Sequence, residues 1–117
     1  MTTVPNRSAA TVSQTKIQAF LLDESHTGNK GRAKFFALFG FTSTGWETMR
    51  DALPARVAAN PIVETETTMH GTNDTVRCSM PSPDGRNPCI SSIWTIEPGG
   101  EPRFVTAFPG PPPRLIC

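Results

Sequence analysis

The chain has 117 residues, of which 37% are hydrophobic and 18% charged, and its formal net charge is +1. This length predicts one domain with a single core, and the near-neutral total argues against a basic coat for nucleic acid. No stretch approaches the roughly 18 apolar residues of a membrane helix, and the N-terminus lacks the apolar core of a secretory signal. We therefore expect a cytoplasmic protein without membrane contact.

The chain has three cysteines, Cys78, Cys89 and Cys117. A reducing cytosol favours free thiols, but a bridge between Cys78 and Cys89 stays open, because these two residues flank a predicted hairpin. The cysteines do not group with His26 or His70 at the spacing of a zinc site. We therefore expect no metal and no other cofactor.

Helical patterns occupy the first half of the chain. Residues 1–16, rich in Thr, Ser and Ala, predict a disordered leader. A first helix is predicted from Lys30, where Ala33 and Phe36 recur at helical spacing, to Gly40, which can end the helix in the left-handed conformation.

A second helix is predicted a few residues later. Thr44 is its expected N-cap, because Glu47 three residues on completes a capping box. Pro54 lies inside the pattern and is expected to kink or divide the helix. The expected buried stripe consists of Trp46, Met49, Leu53 and Val57.

The second half of the chain changes to a period of two. Strands are predicted over 62–69, 75–80, 89–97 and 103–108, with turns at 70–74, 81–88 and 98–102. Short turns between consecutive strands predict an antiparallel meander. The predicted fold class is α+β, with two N-terminal helices packed on a four-stranded, mostly antiparallel sheet. One domain would span 17–109, followed by a proline-rich tail over 110–117.

Short motifs are spread over most of the predicted domain. In the first half they are Phe20-Leu21-Leu22, His26, Gly28, Ala33-Lys34-Phe35-Phe36 and Gly40-Phe41. In the second half they are Gly71, Pro83-Asp84-Gly85-Arg86, Trp94, Ile96, Arg103 and Val105-Thr106-Ala107-Phe108-Pro109. This combination resembles an uncharacterised family of small bacterial domains, a resemblance that implies no established activity.

The order of elements, two helices and then a sheet that ends in Thr106-Ala107-Phe108-Pro109, also resembles the fold of barnase/EndoU/RelE-like RNase toxins. Those proteins cleave RNA without a metal: the 2′-hydroxyl attacks the adjacent phosphate, helped by a general base, a general acid and cationic groups. This resemblance implies that the Thr106 hydroxyl binds substrate. An ordinary strand residue explains Thr106 equally well.

Basic residues cluster around the start of the first helix. His26 precedes Lys30, Arg32 and Lys34, and no acidic residue interrupts this basic run. A histidine suits proton transfer near neutral pH, and a helix start offers free N–H groups to a phosphate. We predict His26, Lys30 and Thr106 as catalytic residues, and Arg32 and Lys34 as phosphate-binding residues. A solvated helix N-terminus with a surface histidine is the alternative.

Two arginines in predicted strands extend this phosphate-binding set. Arg77 can clamp a phosphate, or pair across strands with Glu64 or Glu66. Arg103 is the other candidate, but it lies three residues before Thr106, so the two side chains point to opposite faces of the sheet unless a bulge intervenes.

Two functions therefore fit the sequence. The first is a metal-independent, toxin-like ribonuclease with RNA as its partner, which the basic cluster favours. The alternative is a non-enzymatic, antitoxin-like or accessory module that binds a protein, such as an immunity or accessory protein. The near-neutral total charge favours this alternative. Trp94 could stack a base in the first case, although a core position is expected for it.

Overall fold

The computed structural model describes residues 3–23, 25, 28 and 31–109. A 3₁₀ turn spans Arg7–Ala9, a π-helical segment spans Thr15–Leu21, and two α-helices, α1 and α2, span Arg32–Leu38 and Glu47–Ala59. The strands are β1 (Ile62–Thr68), β2 (Gly71–Ser79), β3 (Cys89–Ile96) and β4 (Arg103–Pro109). The fold class is α+β. Within the described residues, no helix is both long and apolar enough to cross a membrane.

The four strands form one sheet in the order β1-β2-β3-β4, and every pair is antiparallel. The predicted meander is confirmed. The turn predicted at 70–74 is too long, because β2 already begins at Gly71. Asp74 is buried within β2, where its carboxylate accepts a 2.8 Å hydrogen bond from the Thr65 hydroxyl of β1. This bond satisfies a polar residue that strand propensity disfavours.

One face of the sheet packs against the helices and forms the core. Trp94 of β3 is fully buried there and meets the Phe104 ring edge-to-face, with ring centroids 5.6 Å apart. Its indole N–H donates a 2.9 Å hydrogen bond to the Ser92 hydroxyl. The expected core position of Trp94 is confirmed. Other core residues include Ile17, Leu21, Phe36, Met49, Leu53, Val57, Val76, Met80 and Ile90.

A register shift in β4 decides which of its residues reach each face. Ile93 of β3 pairs with Thr106, whereas the next residue, Trp94, pairs with Phe104, so Val105 is the extra residue of a bulge. The bulge turns Arg103 and Thr106 to the same face, opposite the core. The simple alternation that predicted opposite faces is therefore broken at this point.

Part of the segment predicted as a disordered leader, 1–16, packs on the body. Val4 is fully buried in the core cluster. Thr11 forms a parallel bridge with Arg103, and its carbonyl oxygen accepts a 3.0 Å hydrogen bond from the Phe104 N–H. One apolar side chain and backbone hydrogen bonds hold this segment, and neither is visible in its Thr-, Ser- and Ala-rich composition. The predicted domain limits stay a prediction.

The C-terminal end of α1 agrees with the prediction from the sequence, whereas the N-terminal end of α2 differs from it. Gly40 has φ of +95°, and the Phe41 N–H donates a 3.1 Å hydrogen bond to the Phe36 carbonyl, which closes α1 as expected. Thr44, however, is not the cap of α2, because the residue before the helix is Trp46, without a side-chain cap.

Pro54 lies inside α2, which continues through it from Glu47 to Ala59. Pro54 therefore does not divide the helix, and the alternative prediction of a kink stays a prediction. Met49 and Leu53 before the proline and Val57 after it are buried. Burial on both sides offsets the backbone hydrogen bond that proline removes.

The loop between β2 and β3 docks on the C-terminal end of α1. The Asp84 N–H donates a 3.2 Å hydrogen bond to the Phe39 carbonyl, and the Arg86 guanidinium carbon lies 4.4 Å from the centroid of the Phe39 ring. The backbone passes close to this loop at Gly40, where an added Cβ would lie 2.8 Å from Cβ of Pro83. The loop thus fixes α1 against the sheet.

We expect Gly40→Ala to lower the free energy of unfolding more than Gly85→Ala does. Both glycines have positive φ, but only the Gly40 position is crowded. Backbone strain alone costs about 1 kcal/mol, and the clash at Gly40 adds about 1–3 kcal/mol. Urea unfolding of both variants measures the difference, and equal losses would contradict the close packing of this loop.

A second expectation concerns pH. The backbone N–H of Arg86, with smaller contributions from the Ser82 hydroxyl and the Arg86 guanidinium, lowers the pKa of Asp84 below its usual value of 3.8. The folded state therefore binds this proton less tightly than the unfolded state. The ionised carboxylate stabilises the fold above pH 3.8, and this contribution is lost as pH falls through the lower, folded pKa.

Asp84→Asn should consequently show a shallower loss of stability in acid than the wild type. The gap in unfolding free energy between the two proteins should be widest near neutral pH and should close below pH 3.8. Urea unfolding across that pH range tests this. Parallel pH curves for the two proteins would refute it.

Candidate functional site

The face of the sheet opposite the core is open and forms a shallow hollow of about 360 Å³. Cross-strand pairs arrange its residues in two rows. One row runs from Glu64 through Thr75 and Ile93 to Thr106. The adjacent row is formed by Arg77, Ser91 and Phe108. Polar and charged side chains thus share this face with one aromatic ring.

Arg32, the first residue of α1, reaches this face at β4. Its guanidinium donates a 2.7 Å hydrogen bond to the Thr106 hydroxyl, and its central carbon lies 5.3 Å from the centroid of the Phe108 ring. Such a position over an aromatic face attracts a cation. Two contacts from β4 therefore orient the Arg32 guanidinium, while the bond to Thr106 uses only one of its five N–H donors.

Arg77 brings a second guanidinium to the same face. Its Nε donates a 3.1 Å hydrogen bond to the hydroxyl of Ser91, which is fully buried on the neighbouring strand. Among the described residues, Arg77 makes no ion pair with Glu64 or Glu66. The cross-strand ion pair considered from the sequence is therefore not formed.

Charge is divided across the hollow. Glu64 and Glu66 line the hollow on the β1 side and Arg77 lines it on β2, whereas Arg32 lies next to the hollow, against the Phe108 ring. From the sequence, Glu64 and Glu66 were expected only as partners of Arg77. Their position on the open face could have been predicted from the alternating polar residues of the first two strands, because residues two apart in a strand share a face.

The predicted site residues fall into two groups. Arg32, Arg77 and Thr106 lie on the open face, where Arg32 contacts Thr106, and the bulge brings Arg103 to this face as well. Arg103 is engaged by Glu97, with 2.8 Å between the guanidinium nitrogen and the carboxylate oxygen. Lys34 is exposed on α1 and lies about 200° around the helix from Arg32.

The other two predicted catalytic residues, His26 and Lys30, lie outside the described residues, as does the proline-rich tail 110–117. The assignment of all these residues to a site stays a prediction.

Metal-binding groups do not gather in the described part of the chain, where no set of three or more His, Cys, Asp or Glu side chains could hold an ion. Cys78 is a buried free thiol, and burial raises its pKa. Cys89 is disulfide-bonded, so Cys78 and Cys89 are not joined to each other. Free thiols were expected from the sequence, and Cys89 departs from this expectation.

The fold and the open face together describe an α+β domain that has a hollow of opposed charges on its sheet. The chain belongs to the DUF6883 family, a domain of unknown function whose family model matches residues 3–111. This agrees with the resemblance to an uncharacterised family noted from the sequence. No curated protein matches the chain.

The fold is similar to that of a chain in a contact-dependent growth inhibition toxin–immunity protein complex from Klebsiella pneumoniae 342. The TM-score is 0.69 and the sequence identity 18%, and the match covers 92% of this chain and 99% of the other. At this identity the similarity concerns the fold alone.

The contact between Arg32 and Thr106 can be measured directly. We expect a double-mutant cycle of Arg32→Met and Thr106→Val to give a coupling energy of about 1 kcal/mol, because the hydrogen bond is partly buried and charged. Urea unfolding supplies the four free energies. A control cycle of Arg50→Met with Thr106→Val should be additive, since Arg50 lies on α2. Additivity in both cycles would contradict the contact.

Proposed function

We propose that this domain is a metal-independent, toxin-like ribonuclease that binds the scissile phosphate of RNA between Arg32 and Arg77. The observation that carries the proposal is the presence of both guanidinium groups on one open sheet face. The backbones of β2 and β4 are about 10 Å apart, a distance that two arginine side chains can span over β3. Arginine binds phosphate oxygens through paired N–H donors.

The reaction needs no metal or cofactor. The RNA 2′-hydroxyl attacks the adjacent phosphorus, the bond from phosphorus to the 5′ oxygen breaks, and a 2′,3′-cyclic phosphate and a 5′-hydroxyl result. A base accepts the proton of the 2′-hydroxyl, and an acid returns a proton to the leaving 5′ oxygen. Arg32 and Arg77 stabilise the negative charge that develops on the phosphate oxygens, and Thr106 orients Arg32.

Three residues are candidates for the proton-transfer groups. His26 and Lys30 precede Arg32 in the chain by six and two residues, and we retain both as proposed catalytic residues. Glu64 is the described alternative, because it lines the hollow together with Arg77. A carboxylate beside a bound phosphate is suited to accept a proton rather than to hold the anion.

The similarity in fold supports a function in a toxin–immunity system. The structural neighbour belongs to a toxin–immunity protein complex, and its fold spans nearly the whole of this chain. The neighbour's complex contains a toxin and an immunity protein, so the fold fits a module of either kind; the hollow of basic and acidic groups favours the toxin-like one.

The test is RNA cleavage by the purified chain in the presence of EDTA. We expect cleavage of mixed cellular RNA to persist with the chelator, and the products to carry 2′,3′-cyclic phosphates. Arg77→Gln should reduce the rate by about 10²–10³-fold, as expected for loss of one transition-state donor. No cleavage at high protein concentration would refute the proposal.

Matched variants make this test specific. Arg50→Gln removes an equally charged side chain from α2 and should leave the rate unchanged. Comparison of His26→Ala with Glu64→Gln identifies the proton acceptor, since loss of a general base costs about 10²–10⁴-fold. An equal loss in Arg50→Gln and Arg77→Gln would indicate that only net charge matters.

A second function, a protein-interaction module of the immunity or accessory type, is supported by a different observation. Strand β1 is an edge of the sheet, its residues 63–67 are exposed, and Met69 beyond it is 96% exposed. An edge strand can add a strand from a partner protein. This function takes precedence if the purified chain leaves RNA intact.

A further inference from the structure

A row of basic residues runs along β4, outside the hollow on the sheet face. Lys16 lies on the π-helical segment beside β4 and lines two further hollows. One hollow, of about 470 Å³, also contacts Arg103, and the other, of about 500 Å³, also contacts Arg32. Lys16 is therefore placed between the two arginines.

The three cations differ in how far they are already neutralised. Within the described residues, Lys16 forms no ion pair, whereas Arg103 is paired with Glu97 at 2.8 Å. Both partners of that pair are 59% exposed, and exposed pairs of this kind contribute little and exchange readily. A phosphate could therefore take the place of Glu97 on Arg103.

The row of basic residues is longer than a single phosphate group. Arg103 and Thr106, which holds Arg32, pair with Thr95 and Ile93 of β3, so two residues of strand rise, about 7 Å, separate them across the bulge. Arg77 lies in the row of Phe108, on the other side of Thr106 from Arg103, so a phosphate held between Arg32 and Arg77 contacts Arg32 but is turned away from Arg103. A chain of several nucleotides can contact both, because its phosphates repeat along the backbone.

We propose that Arg32, Lys16 and Arg103 form a track for the backbone of single-stranded RNA, leading away from the cleavage position. This inference rests on the proposed function and adds the substrate class: an oligonucleotide of several residues rather than a dinucleotide. Phosphate contacts of this kind carry no base specificity, so the track lengthens the bound substrate without choosing its sequence.

The test is binding of non-cleavable 2′-O-methyl RNA to the full chain, measured by fluorescence anisotropy with a labelled octanucleotide and a labelled dinucleotide. Lys16→Met keeps the aliphatic stem and removes the charge. We expect it to weaken octanucleotide binding about threefold or more and to reduce the salt slope by about 0.7, the value for one phosphate contact on a single strand. Dinucleotide binding should stay unchanged, and Lys16→Arg should retain wild-type binding.

A gain-of-affinity variant provides an independent readout. Glu97→Gln releases Arg103 and should tighten octanucleotide binding but not dinucleotide binding. Glu47→Gln, the same charge change in the first turn of α2, is the control and should alter neither affinity. Equal effects of these two variants would overturn the track, because net charge alone would then explain the binding.

The outcomes separate the track from the catalytic proposal. Octanucleotide binding that depends on Lys16, without any RNA cleavage, supports the track and refutes the ribonuclease. Cleavage of RNA with no dependence of binding on Lys16 or on substrate length overturns the track and leaves the ribonuclease standing. Failure of the wild-type chain to bind the octanucleotide also overturns the track.

Discussion

The bulge at Val105 is the constraint on which both the core and the open face depend. On the core side it keeps Phe104 and Ala107 buried, and Phe104 packs against Trp94. On the other side it turns Arg103 and Thr106 to one face. A regular strand would force one of these pairs out of place, because a shift of one residue exchanges the two faces of a strand. One extra residue therefore allows β4 to serve both the core and the site.

The position of Arg32 follows from the way α1 is held at both ends. Its C-terminal end is closed at Gly40 and fastened by the loop between β2 and β3. Its first residue is bonded to Thr106 on β4. A guanidinium fixed in this way loses little conformational freedom when it binds an anion, which favours binding. The loop and the site are thus connected through a helix of only seven residues.

Charge on this domain is arranged locally, although its total is close to zero. Glu64 and Glu66 lie on one side of the hollow, and the cations lie on β2 and along β4. The electrostatic potential should therefore be more positive on the β4 side than on the β1 side. Net charge reports on solubility and non-specific association, and it carries no information about such local sites.

Four features could be predicted from the sequence: the α+β class, the antiparallel meander, the end of α1 at Gly40 and the core position of Trp94. These features depend on local signals: periodicity, turn residues and a glycine at a helix end. Three others are visible only in the folded chain: Arg32 contacts Thr106, 74 positions away, Val4 enters the core, and α2 continues through Pro54. Contacts between distant residues and a bulge in one strand leave no periodic trace in the chain, because they depend on how whole elements pack.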